Sequence, residues 1–304
     1  METQSELQHA STLSLPEISS AKRWWWPDAK TTILIPPGIA LIGLFLVPFL
    51  IMGAVSFYYR VPDGFYVPDF RLDNYLLFFD PIFLTALARS LILCATISVV
   101  CVSLAVPFTY IVSRMRRSAQ VPIVILLLCI LTLSEVILGF SWTILLSRTA
   151  GVSNLLVHLG MMDRAVALYP SAFAIVLAML HFCFPFAVLT IYPPISRFDK
   201  SLPEAAATLG ATPIWAFFSV VVPALRPTII SALVLVFVFA LGAYLFPQML
   251  GRPEDWTLSV LITDQAIYKS NIPFAAAMSV FLCIICLGLI AGITKLTKAK
   301  GTQG

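Results

Sequence analysis

Charge is the scarcest commodity in this 304-residue chain: Lys, Arg, Asp and Glu make up 11% of it, against 60% hydrophobic residues. A soluble globular domain carries roughly 25% charged residues, so that class is excluded at the outset. The net charge of +4 is small and not clustered on a soluble face, so it is no nucleic-acid footprint. No G-x-x-x-x-G-K-[ST] loop occurs to cradle nucleotide phosphates, and no nucleophile–base pair stands out. The six cysteines, Cys94, Cys101, Cys129, Cys183, Cys283 and Cys286, all fall in apolar runs. Cys283 and Cys286 form a C-x-x-C without a second pair at ligand spacing, so they read as packing residues. The first thirty residues lack the short apolar core and small-residue cleavage site of a secretory signal. No internal repeat is evident, which argues against a fold of two equivalent halves.

What the chain does have is six apolar runs, near 33–57, 84–111, 121–146, 171–193, 227–249 and 273–294. Each is long enough to cross a hydrocarbon core of about 30 Å, which takes about 20 helical residues. The fold class is therefore all-α membrane, with six transmembrane helices. Residues 1–30 form an N-terminal tail and 31–304 the membrane domain. Cations supply the topology. Lys22, Arg23 and Lys30 precede the first run, Arg114, Arg116 and Arg117 follow the second, and Lys295, Lys298 and Lys300 follow the sixth. Arg197, Lys200 and Arg226 flank the loop between the fourth and fifth runs, while the alternate loops hold fewer cations. The positive-inside rule then puts both termini and the 197–226 loop in the cytoplasm. Trp24, Trp25 and Trp26 read as an interfacial anchor, residues 1–20 as disordered, and Arg89 as a cation that snorkels outward or pairs inside the protein.

The outer loops are not featureless. Residues 58–80 are turn-rich, with Pro62-Asp-Gly64, and then briefly amphipathic, as an ordered cap would be. Val152 to Gly160 has a helical apolar period and a glycine stop. The segment around Leu258, Leu261 and Ile262 predicts a further short helix folding back along the outer surface. Prolines inside the runs, among them Pro48, Pro107, Pro122, Pro185 and Pro247, predict kinked helices of the kind that line cavities.

The most specific signal is the loop from Asp199 to Pro223. Ser201 followed by Glu204 predicts a capping box, Ala205, Ala206 and Ala207 are strong helix formers, and Gly210 is placed for a left-handed stop. Pro213 suits the first position of a second short helix. A capped, alanine-rich helix has little to bury on its own account, but lets another backbone approach closely.

Glu204-Ala-Ala, three residues, Gly210, and Val-Pro223 downstream together resemble the EAA loop of permease subunits in bacterial type I ABC importers. Asp73-Asn-Tyr75, Ala88-Arg-Ser90, Val106-Pro-Phe-Thr-Tyr110 and Gly242 to Gly251 extend the resemblance to the spermidine/putrescine-type subfamily. Opine and iron(III) importers look similar. Where many polyamine-type relatives have Gly-Glu-Phe, this chain has Gly242-Ala-Tyr244, so an acidic contact for a polycation is missing there.

The resemblance implies a type I importer permease located in the bacterial inner (plasma) membrane, with Glu204, Ala205, Ala206, Gly210 and Pro223 coupling to an ATP-binding cassette dimer. It also implies a second permease subunit, expected to make a heterodimer, and a periplasmic or lipid-anchored solute-binding protein. No cofactor belongs to the chain itself, ATP being used by the partner; the surroundings are membrane lipid, and no nucleic acid is involved. Glu135, Tyr244 and Gln248 are the candidates for the translocation path.

Glu135 falls near the middle of the third run, where a lone carboxylate is costly and must face the bundle or a wet cavity. Three uses stay open: a contact for a cationic solute, a polar tie to the partner permease, or a protonated carboxyl bonding a neighbouring helix. His181 reads as packed and Arg148 as interfacial. An ion-gradient-driven secondary transporter is the alternative class. It gives no reason for the capped loop, and only one buried carboxylate is at hand for ion coupling.

Overall fold

A backbone surrounded by hydrocarbon has no water to bond its N–H and C=O groups, so apolar runs must close their hydrogen bonds within themselves. The computed structural model describes residues 29–61, 66–149, 151–161 and 163–301. Among these residues the one extended pairing is an antiparallel bridge between Tyr59 and Val67. The α-helices are α1 Ala29–Val55, α2 Asp73–Leu77, α3 Pro81–Arg114, α4 Arg117–Thr132, α5 Glu135–Leu145, α6 Val152–His158 and α7 Ala172–Ser196. They continue with α8 Ser201–Thr208, α9 Pro213–Ala216, α10 Arg226–Gly242, α11 Leu245–Leu250, α12 Leu258–Thr263 and α13 Ile272–Gly301. A π turn, Phe217–Val221, and the short turn Val222–Ala224 prolong α9, and a second π turn, Asp264–Tyr268, prolongs α12. The Trp24, Trp25 and Trp26 anchor, the rest of the tail to residue 28 and the 62–64 turn lie outside the described residues.

Helix α1 is long enough to span a bilayer on its own, and its large side chains from Ile39 to Ile51 are exposed, as a lipid-facing surface requires. From Ile51 onward the chain forms the main body. Its core is the packing of α3, α7 and α10. Ile97, Cys101 and Ala105 meet Ala178, Cys183 and Ala187, with Ala232, Val236 and Ala240 alongside, and none is more than 3% exposed. Lipid offers no hydrophobic drive for helices to associate, so close contact of small side chains supplies the attraction through dispersion. The buried cysteines of α3 and α7 serve that packing.

Two expected spans are broken. The third run is not one helix: α4 and α5 meet at 98° across Leu133 and Ser134. No proline sits at that break, whereas α3 with Pro107 and α7 with Pro185 run on unbroken. The cause is a fresh helix start. Leu133 and Ser134 are both extended, and Ser134 Oγ accepts a hydrogen bond from the Val136 N–H at 3.3 Å. The fifth run likewise stops at Gly242 and restarts at Leu245, and the helical segment 213–224 enters α10 through a 75° bend.

The outer segments are held by polar side chains. Asn74 is buried and donates to the carbonyls of Ser56 and Tyr58, both at 2.9 Å, while the Ser56 and Tyr75 hydroxyls lie 2.8 Å apart. Replacing Asn74 with alanine strips both carbonyls of their donor. It should cost about 1–3 kcal/mol, seen as a lower unfolding midpoint of the detergent-solubilised protein. The expected surface helix near Leu258 is instead buried. Leu258 and Val260 are at most 2% exposed, the Leu258 N–H donates to Ser90 Oγ at 2.7 Å, and Ser259 Oγ donates to the Leu241 carbonyl. Its apolar residues pack against Phe78, α3 and α13, Leu258 clustering with Phe274 and Met278, because the chain there re-enters the bundle rather than lying on it.

Candidate functional site

The loop between α7 and α10 folds as two short helices at an angle. Helix α8 ends in a full glycine cap: Gly210 has φ +88°, its N–H donates to Ala207 O at 3.0 Å, and the Ala211 N–H donates to Ala206 O at 3.0 Å. These two bonds satisfy carbonyls that a helix end otherwise leaves open, and only glycine takes that backbone without strain. Thr212 then caps the next helix, accepting from the Trp215 N–H at 3.3 Å, with Pro213 in the first helical position.

The start of α8 departs from the expected capping box. Ser201 is already the first helical residue, and its N–H donates to Asp199 Oδ1 at 2.9 Å. Asp199 therefore does the capping, and Glu204 is exposed and takes no part in it. The bond from the Ser201 backbone holds the Asp199 carboxyl below its ordinary range. A depressed native value means the cap is present at any pH above the ordinary aspartate value near ~4 and is lost only as pH falls through the lower native one. Amide exchange at Ala205 and Ala206, corrected for its intrinsic pH dependence, should thus be flat between about pH 8 and about pH 5. Asp199→Ala should speed it across that range.

One face of this element is apolar and uncovered. Leu209 is 89% exposed, Ile214 73%, Phe218 63% and Trp215 60%. A groove of about 580 Å³ runs between the two short helices, lined by Ala206, Leu209, Gly210, Ala211, Trp215 and Val220. Apolar exposure of this kind in a segment too short to span a bilayer marks a contact surface. The opposite face is anchored. Phe217 and Val221 are buried, the Phe217 ring lies 4.9 Å from that of Tyr110 on α3, and Pro203 is buried at the foot of α8. Pro223 belongs to the final turn before the 75° bend into α10. The element is thus tied to α3 through Tyr110 and Phe217 and runs directly into α10.

The path candidates lie at the breaks. Glu135 is the first residue of α5, not a mid-helix residue, and is half-buried. Its carboxylate stands in the first turn, where the helix dipole favours negative charge, and this lowers the cost that a mid-helix position would carry. Tyr244 sits at the start of α11, 38% exposed, and Gln248 one turn later is half-buried. The two half-helices pack on each other: a side chain on Gly139 of α5 would come within 2.8 Å of Met249 Sδ of α11. The structure thus brings together the elements that carry Glu135, Tyr244 and Gln248, without a direct hydrogen bond among the three side chains. His181 is packed, accepting at Nδ1 from Trp142 Nε1 at 3.3 Å, and Arg148 is exposed.

Two features escaped the sequence reading. The break before Glu135 had a signal, since serine followed by an acid in the first turn marks a helix start. The exposed apolar cluster had one too, in Leu209, Ile214, Trp215 and Phe218 standing within a segment too short to span the membrane.

Against known proteins, residues 99–296 match the family described as binding-protein-dependent transport system inner membrane component. The spermidine/putrescine transport system permease protein PotB of Haemophilus influenzae is 25% identical over 250 residues, covering 82% of this chain and 87% of that protein. PotB of Escherichia coli is 27% identical over 253 residues, covering 83% and 91%. The Escherichia coli inner membrane ABC transporter permease protein YdcU is 26% identical over 308 residues, covering 93% and 95%. Among solved structures, that of a bacterial ABC transporter involved in the import of the acidic polysaccharide alginate shares the fold. Its TM-score is 0.74 at 17% identity, over 88% of this chain and 94% of that one.

Proposed function

We infer the task of this chain from its kinship: it belongs to the binding-protein-dependent transport system inner membrane components, and is the membrane-spanning permease subunit of an ABC importer. In our reading the 199–223 element is the part that answers to ATP. A separate ATP-binding subunit takes Leu209, Ile214 and Trp215 into a groove, and Glu204, exposed and free of capping duty, meets a cation there. Closure of two such subunits pushes the element, and the Tyr110–Phe217 contact carries the movement into the bundle. Such a push drives transport only if the contacts differ between the inward- and outward-open states. The observation that carries this reading is a rigidly capped helix pair, anchored on one face and apolar and bare on the other.

The remaining parts follow from the same scheme. Both termini and the 199–223 element face the cytoplasm, as the cations require. The chain has no ATPase site or cofactor of its own. A second permease completes the path, and a solute-binding protein delivers on the far side. The solute is small and polar, of the polyamine, opine or related class: relatives carry spermidine/putrescine names, and Glu135 offers one carboxylate at a helix break. Without an acid in 242–244, any cation is held by fewer charges than in relatives that have one. The test is a thermal-shift screen of the cognate solute-binding protein against polyamines, opines and amino acids, followed by uptake of the ligand found. A ligand outside small polar solutes overturns the substrate assignment.

A further inference from the structure

Where α3 gives way to α4, a cleft of about 760 Å³ opens against the end of α7. One end carries Arg117 and Lys200, and Val121, Val124 and Ile125 line its apolar wall, with Val121 and Ile125 more than half exposed. Tyr192 forms part of one wall, and its hydroxyl donates to Gln120 Oε1 at 3.0 Å. Gln120 Nε2 in turn donates to the carbonyls of Ser113 (3.1 Å) and Met115 (2.8 Å), which fixes the α3–α4 turn and keeps the cleft open in shape. Among the described residues neither Arg117 nor Lys200 has an acidic partner within ion-pair reach, although Asp199, bonded to Ser201, is next to Lys200 in the chain. The neighbouring Arg114 is already engaged, stacked over the Tyr110 ring at 4.6 Å.

The polarity of this cleft runs along α4. Helix α4 starts at Arg117, so at 1.5 Å per residue Val121, Val124 and Ile125 lie about 6 to 12 Å further along its axis than the cation. Two cations at one end of an apolar trough complement one kind of molecule better than any other. A soluble anion would leave the valine and isoleucine wall bare, and a zwitterionic lipid would leave the pair of cations without net compensation. We propose that this cleft is a binding site for an anionic phospholipid. Its phosphate is held between Arg117 and Lys200, and one acyl chain lies along Val121, Val124 and Ile125. With the orientation inferred above, the lipid belongs to the inner leaflet and pins the α3–α4 turn beside the foot of the 199–223 element. The site itself does not depend on that orientation.

The test is native mass spectrometry of the full chain, with any co-purifying subunits, released from nanodiscs of mixed phosphatidylglycerol and phosphatidylcholine. Phosphatidylglycerol should be retained over phosphatidylcholine, and Arg117→Ala with Lys200→Ala should cut that preference by about thirtyfold, the attraction expected of two cations near an anionic surface. Val124→Trp, which fills the trough and leaves both cations, should lose the diacyl lipid as well. Equal retention of the two lipids, or retention unchanged in both variants, overturns the proposal. So does displacement by millimolar inorganic phosphate with Val124→Trp without effect, which marks a free-anion site. If the double variant instead sheds a co-purifying subunit while keeping its lipid, the cleft is a protein interface and the proposal fails.

Discussion

Leu209→Asp is expected to weaken the hold of the ATP-binding subunit on this permease by at least about tenfold. At 89% exposed, Leu209 contributes almost nothing to the permease's own packing, so the variant should fold as the parent does. In the proposed complex the position becomes buried. Covering a leucine is worth about 1.5–3 kcal/mol, and an unpaired carboxylate in its place adds a desolvation cost. Since about 1.4 kcal/mol is tenfold in affinity, the sum predicts loss of the complex in co-purification. Trp215→Ala, removing a 60%-exposed aromatic from the same face, should act in the same direction by a comparable amount. Full affinity in both variants would mean that the bare apolar face meets something else.

Glu135→Gln separates the path from the coupling element. The side chain keeps its size and its place in the first turn of α5 but loses its charge. If it contacts a cationic solute, uptake should fall by about tenfold to a hundredfold, the worth of a hydrogen bond to a charged group at about 1.5–3 kcal/mol. Assembly with the ATP-binding subunit should be unchanged, because no residue of α5 lines the groove beside Leu209. Unaltered uptake removes Glu135 from the path and leaves it as a polar tie to a neighbouring helix or subunit.

The helix pair of 199–223 was legible in the sequence because its grammar is local: helix formers, a glycine stop, and a proline in the first position of the next helix. Even there the register slipped, since Asp199 and Ser201 both suit an N-cap and only coordinates decide between them. The break at Leu133 and Ser134 was hidden because apolar composition reads alike in a straight helix and in two half-helices, and proline, the expected cause, was elsewhere. Burial of the segment around Leu258 was hidden for a related reason. In a membrane protein apolar residues face lipid and core alike, so hydrophobicity alone does not say which way a helix turns. The packing of the broken helices rests on contacts across long sequence separations, and a close approach such as Gly139 against Met249 has no local signature.

Gly210 gives the most direct test of the central claim, that the 199–223 element transmits ATP-driven movement into the bundle. At φ +88° a β-branched residue is strained by about 1–2 kcal/mol, while an added Cβ meets no atom within 4 Å, so Gly210→Val acts on the backbone cap and not through a clash. The measurement is ATP hydrolysis by the reconstituted importer with and without solute-loaded binding protein, alongside uptake. The account predicts that Gly210→Val keeps basal hydrolysis but loses its stimulation and the uptake together. Stimulation and uptake at parental levels in an importer carrying Gly210→Val would contradict it.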